Sequence, residues 1–237
     1  MPFEPIRIGN TVITKKAKTN TYEIRNAASP QLMKSIGDKA SFEATDAITM
    51  REYLKRARHV TELPAALRLV HDLGRQLQAL IADGRGIACM GIDDVVVITH
   101  RESDSFTHDS INDLDCTLGD SRMDPQFLFL NDHLLFELDN DGALIMDHAL
   151  PKRLSAFMSP ELQSLLKTTA SLPQSVYFKT IYHSAAQLVI YFLLNVDRIP
   201  DDPEDTAYLN PIKNTKLWWF LLRCLTPVPG ERKYIYI

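Results

Sequence analysis

Hydrophobic positions recur along this chain in two rhythms, one helical and one strand-like. Residues 63–82, LPAALRLVHDLGRQLQALIA, place Leu63, Leu67, Val70, Gly74, Leu77 and Ile81 at alternating steps of four and three, the spacing of one helix face. Leu69, Leu73 and Leu80 widen that stripe, so the helix is expected to be enclosed by protein on most sides. Residues 184–194, SAAQLVIYFLL, are apolar almost all round, which predicts a helix at the centre of a helical region. Residues 44–58 predict a shorter helix capped by Asp46 or Thr49, with Met50, Tyr53 and Leu54 on one face. Two more are predicted at 159–167, where Pro160 suits a first turn, and at 215–225.

The second rhythm is the short apolar run bounded by turn residues. Residues 6–14 and 21–24 predict a strand pair around the lysine-rich 15–20, with Gly9-Asn10 as an alternative turn. Residues 87–98, IACMGIDDVVVI, predict two short strands around a turn at 91–94. Strands are also predicted at 127–130 and 134–138, flanking Asn131-Asp132-His133, and Asp139-Asn140-Asp141-Gly142 is a tight-turn signal into a strand at 143–146. The pattern predicts an α+β chain. A small β-rich segment occupies 1–43, a mainly helical domain with short β-hairpins occupies 44–237, and a polar insertion rich in Asp, Ser, Thr and Asn lies at 99–125.

Composition narrows the classes. With 237 residues, 45% hydrophobic and 24% charged, the chain can bury a real core and is not expected to be disordered. A formal charge of -4 gives no electrostatic reason to expect nucleic acid or an anionic membrane as partner. Cys89, Cys116 and Cys224 are isolated, so neither a zinc site nor a disulfide framework is expected, and reduced thiols fit a cytoplasmic or other intracellular setting. The opening MPFEPIRIGN lacks a basic-then-apolar signal pattern. The apolar run 185–194 is about half of the ~20 residues needed to cross a bilayer.

Few side chains suggest chemistry on their own. Lys15, Lys16 and Lys18 are expected to be solvated turn residues, and His100 and His108 stand among carboxylates without a ligand-like spacing. His183, at a helix entry, is expected to make a structural hydrogen bond. Trp218, Trp219 and Phe220 cannot all face one core, which makes Trp218 and Trp219 candidates for contact with a partner.

One stretch carries an ordered set of motifs. Residues 143–162, ALIMDHALPKRLSAFMSPEL, place Asp147-His148-Ala149 after a strand and Ser159-Pro160-Glu161 at a helix entry. This resembles the segment of protein kinases that runs from the metal-binding Asp-Phe-Gly turn to the Ala-Pro-Glu motif. DHALPKR, FMSPEL, the apolar helix at 184–194 and LLRCLTPVPGER follow one another as in a kinase C-terminal lobe, so the resemblance covers 44–237. It implies a kinase-like lobe behind a much reduced N-terminal lobe, an internal ion pair between Glu161 and Arg232, and Asp147 with Asp94 as the positions for a divalent ion.

The same comparison implies that catalysis is missing. Where kinases read His-Arg-Asp this chain reads Ile87-Ala88-Cys89, or in a rival alignment Asn131-Asp132-His133. Gly9 is the only glycine before Gly37, so no Gly-rich phosphate-covering loop is available, and no strand lysine is recognisable. Only nine residues, 150–158, separate the two motifs, too few for an activation loop. Kinases open the central helix with an Asp that anchors the catalytic loop; Ile181, Tyr182 and His183 stand there instead. The resemblance thus implies a kinase-like scaffold with no catalytic residues and no Mg-ATP cofactor, working through a protein partner or a larger assembly. A divergent nucleotide-binding Ser/Thr kinase-like enzyme and a structural subunit remain as alternatives.

Overall fold

The computed structural model describes residues 3–17, 19–26, 30–37, 41–58, 61–100, 125–150, 156–167, 171–200, 202 and 204–234. Lys18, His108, Cys116, Lys152 and Arg153, with 101–124 of the polar insertion, lie outside them.

Both turn signals near the N-terminus are used. β1 (Ile6–Ile8) turns at Gly9-Asn10 into β2 (Thr11–Lys15), which returns through 16–20 into β3 (Thr21–Asn26). After a short helix, α1 (Pro30–Ser35), β4 (Ser41–Glu43) completes an antiparallel sheet in the order β1-β2-β3-β4. Tyr22 is its centre, stacked on Phe42 at 5.3 Å and meeting the edge of Phe3 at 5.2 Å. The lysines have local roles: Lys15 lies over the Tyr22 ring and Lys16 pairs with Glu23.

β5 (Asp46–Thr49) leads into α2 (Met50–Arg56), and of the two candidate caps it is Thr49 that accepts a hydrogen bond from the Glu52 N–H. α3 (Leu63–Ala82) has the predicted bounds and ends at Gly84, whose φ of +70° suits glycine. The chain continues through β6 (Arg85–Ile87), β7 (Met90–Gly91), β8 (Val95–Thr99) and β9 (Gln126–Phe129).

Here the structure departs from the expected hairpins. The turn between β7 and β8 exists, closed by Asp94 N–H on Gly91 O at 3.1 Å, but its arms enter different sheets. β8 lies between β5 and β9 in an antiparallel three-stranded sheet. Its residues alternate between two cores: Val95 and Val97 join the large core with Phe127, Phe129 and α3, while Val96 and Ile98 join a second core with Ile8, Ile13, Tyr22 and Ile24. The continuous apolar run is thus buried on both faces. The outer edge of β9 is closed by α3. Asp72 accepts from Phe127 N–H at 3.0 Å, and Gln76 both accepts from Phe129 N–H at 2.8 Å and donates to Phe129 O at 3.2 Å. Side chains one helical turn apart therefore satisfy a strand edge that would otherwise lack partners.

A 3-10 turn at Asp132–Leu134 redirects the chain, so β10 (Leu135–Leu138) does not pair with β9. It pairs instead with β6 and with β11 (Ala143–Met146) across the 139–142 turn. β12 (Ala156–Phe157) pairs with β7; α4 (Pro160–Lys167) follows, and β13 (Gln174–Tyr177) flanks β11. α5 (Thr180–Leu194) then runs through the middle, with Ile181, Ala185, Ala186, Leu188, Val189, Ile190 and Phe192 buried. It packs against α3 and against α6 (Lys216–Leu225), which Thr215 caps through the Trp218 N–H. The molecule is a mixed α+β structure with antiparallel sheets. Among the described residues no helix is long and apolar enough to cross a membrane.

Candidate functional site

The motif residues at the two ends of the helical region meet. Pro160 starts α4 and puts Glu161 in its first turn, while the 3-10 turn Pro229–Glu231 delivers Arg232. Arg232 is 0% exposed, and its guanidinium grips both Glu161 oxygens, Nη1 on Oε1 and Nη2 on Oε2. Its remaining N–H groups donate to Thr226 O, Lys179 O and Pro227 O. All five donors of the fork are used. Burial raises the Glu161 pKa, but the hydrogen bonds and charge of Arg232, with bonds from the Glu161 backbone and Ser159, together outweigh it and hold the carboxyl below its ordinary range.

Asp94 and Asp147 sit in opposite environments. Asp94 is buried, with Oδ2 accepting from Gly91 N–H and Oδ1 from Asn131 Nδ2, each at 2.7 Å. Burial raises its pKa, against the pull of those two bonds, and neighbouring Asp93 adds to the rise. This carboxylate clamps the β7–β8 turn. Asp147 is exposed and takes a 2.7 Å contact from His148 Nδ1, which lowers its pKa; the His148 ring stacks on Phe136. Among the described residues no group of three or more His, Cys, Asp or Glu is arranged to hold a metal ion. Cys89 and Cys224 are free and buried, and burial pushes both thiols up, away from the reactive thiolate.

A contact that the sequence did not announce closes the space above Asn131-Asp132. The β1–β2 turn sits directly on it: Asn10 N–H donates to Asp132 Oδ1 at 2.8 Å and Asn10 Nδ2 to Asp132 Oδ2 at 3.0 Å. Gly9, at φ +58°, lies so close that a Cβ there would collide with Asp132, Asn131 and His133. Glycine is needed here for both its left-handed backbone and its missing side chain. The Gly9-Asn10 dipeptide was legible as a turn; what the turn touches, 122 residues away, was not.

α5 is tied to the strands beside it through one buried side chain. Ser184 Oγ accepts from Met90 N–H at 2.8 Å and reaches the carbonyls of Met90 and Phe157. A single hydroxyl in an apolar helix thus ties α5 to β7 and β12.

An open space lies elsewhere. A cavity of about 810 Å³ lies between α4, α5, α6 and the 197–208 connection, and Asp147 is not among its lining residues. One wall is α5, which presents His183 and Gln187 a turn apart. His183 Nδ1 and Gln187 Oε1 are buried without a hydrogen-bond partner, so the bond expected of His183 is not made at that nitrogen. Burial, then the nearby Arg232 charge, lowers the His183 pKa to about 4 despite Glu161, so the ring is neutral near pH 7. Phe157, Met158, Leu222 and Leu225 supply apolar lining. Trp218 and Trp219 meet edge to face at 4.4 Å and line no part of this cavity. Trp218 is half-buried against the core, while Trp219 is 51% exposed.

No protein-family model matches this chain, and no curated protein matches it.

Proposed function

We propose that this chain is a kinase-like protein without phosphotransfer activity, used as a protein-binding module. The observation that carries this reading is the seat of Gly9 and Asn10 on Asn131 and Asp132. In a kinase the turn between the first two strands covers the nucleotide phosphates, and metal ions hold those phosphates against the residues below. In this chain the corresponding turn rests on the loop itself. Asp132 spends both oxygens on Asn10, and a methyl group on Gly9 would collide with Asp132, Asn131 and His133.

Other features support the same reading. The Glu161–Arg232 pair joins α4 to the segment after α6, α5 is the buried central helix, and Ser184 ties it to Met90. The first two are compatible with the resemblance to a kinase C-terminal lobe, and none of the three requires catalysis. Phosphoryl transfer depends on positioned metals and a carboxylate beside the nucleophile. Here Asp94 is consumed by its turn and Asp147 stands exposed beside His148.

The test is incubation of the purified chain with radiolabelled ATP, magnesium or manganese, and generic protein substrates. No transfer above the blank is expected. Transfer that disappears in Asp147→Ala would overturn the reading. Thermal denaturation is a second measure: a nucleotide at a hundredfold excess over its Kd stabilises by about 2.7 kcal/mol, and no such shift is expected.

A further inference from the structure

Trp219 is the large apolar side chain that α6 turns outward, 51% exposed. A lone exposed indole is ordinary on a protein surface, so its surroundings decide what it can do. Successive helical residues are turned by ~100°, which puts Leu222 about 60° to one side of Trp219, and Arg223 and Lys216 about 40° and 60° to the other. The Leu222 side faces the 197–208 connection, because Leu222, Leu225, Asp197, Asp202 and Tyr208 line one cavity, whereas Lys216 and Arg223 do not line it. Across this surface the order is acidic connection, half-buried Leu222, Trp219, and then the basic pair.

Neither flank is neutralised within the chain. Lys216 and Arg223 are exposed and pair with no carboxylate among the described residues. Asp197, Asp202 and Glu204 on the connection are exposed and pair with no cation among the described residues. Arg198, beside them, already has an interaction of its own. Elsewhere basic side chains find acids: Lys34 pairs with Asp83, Arg51 with Asp93, Arg56 with Asp46 and Arg85 with Glu137.

A surface ordered acidic, apolar, basic is its own complement. A two-fold axis that lies in the contact plane and crosses the strip at Trp219 turns the acidic flank of one copy onto the basic flank of the other, twice, and brings the two indoles together. That is the layout of a protein interface, an aromatic centre inside a polar rim. A uniformly acidic partner, nucleic acid or an anionic membrane would meet the basic flank but be repelled by the acidic one, and a uniformly basic partner would suffer the converse.

We propose that this strip is the interface of a homodimer, with Trp219 of each copy packed at the two-fold axis and Lys216 and Arg223 of one copy facing Asp197, Asp202 and Glu204 of the other. The proposal goes beyond the noncatalytic reading and does not depend on it, since no residue of the Gly9-Asn10 seat takes part.

The test is sedimentation velocity of the full chain across a concentration series. A reversible dimer is expected. Raising salt from ~0.1 to ~1 M, which shortens the screening length from ~10 to ~3 Å, should weaken it about tenfold. Trp219→Ala should weaken it about thirtyfold or more, as the loss of a central aromatic does, without changing the thermal stability of the dilute monomer. Two charge-reversed chains sharpen the test, one carrying Lys216→Glu with Arg223→Glu and the other Asp197→Lys with Glu204→Lys. Each should be monomeric where the wild-type chain is dimeric, yet the two should dimerise when mixed, because opposite charges then face each other again. All the substituted side chains are exposed, so the variants are expected to fold, as circular dichroism checks; if a reversed chain does not fold, the salt and Trp219→Ala responses decide. A wild-type chain that stays monomeric up to ~1 mM, a dimer indifferent to Trp219→Ala, or folded reversed chains that do not dimerise on mixing would each overturn the proposal.

Discussion

The contact between the first hairpin and residues 131–133 and the cavity beside α5 are two polar regions where distant parts of the chain converge, and they are completed to different degrees. In the first, Asn10 matches both oxygens of Asp132, Asn131 reaches Asp94, and Gly9 removes the last space. In the second, a histidine nitrogen and a glutamine oxygen are buried with no partner beside an open volume. The first region is internally finished, while the second leaves two buried polar atoms unmatched.

The contrast can be broken most forcefully at the ion pair that borders the cavity. Arg232→Met leaves Glu161 without its counter-charge, and a loss of about 3–5 kcal/mol in urea unfolding is expected. Pairing it with Glu161→Leu should recover much of that loss, because the penalty comes from the surviving charge. Next in size is acid sensitivity at His183. Its folded pKa of about 4 lies below the ordinary 6.5, so between these values the unfolded chain binds the extra proton and stability falls as pH falls. Over that window the loss approaches ~3 kcal/mol, at 1.36 kcal/mol per unit, and His183→Gln should remove the slope. Glu161, with its lowered pKa, contributes stability above its ordinary 4.5 that is lost only at still lower pH.

Smaller effects sharpen the comparison from the finished side. Gln76→Leu strips both bonds from Phe129 at the edge of β9 and should cost about 2 kcal/mol, with buried backbone groups left unmatched. Asn10→Ala removes one side-chain bond to Asp132 and keeps the backbone one, for about 1 kcal/mol. The same variant should show no stabilisation by Mg-ATP, since the turn still fills the space. Trp219→Ala, at an exposed site, should change thermal stability by less than ~0.5 kcal/mol.

What could be read from the sequence follows from how much periodicity each element carries. α3 and α5 announce themselves because a long stripe, or an apolar surface all round, leaves little choice of structure. The strands at 95–98 and 126–129 were legible as strands but not as partners. A run apolar on both faces has no alternation to say which sheet it joins, and the 3-10 turn at 132–134 broke the expected hairpin. The Glu161–Arg232 proximity came from motif order, since nothing local links residues 71 apart. Ser184 was hidden as one small polar residue in an apolar helix, and the cavity was hidden because its walls come from helices far apart in sequence and an irregular connection. Gln187 was unremarkable until its carbonyl was found without a donor.

The sheet of β5, β8 and β9 has a mechanical consequence. Val96 and Val97 are neighbours, yet each is rooted in a different core, so the N-terminal meander and the helical bundle share a party wall instead of being joined by a flexible strap. Enzymes that bite down on a substrate swing two bodies about a few pliant residues. In this molecule any such swing would shear the wall itself, so the two cores are braced against each other by one shared strand.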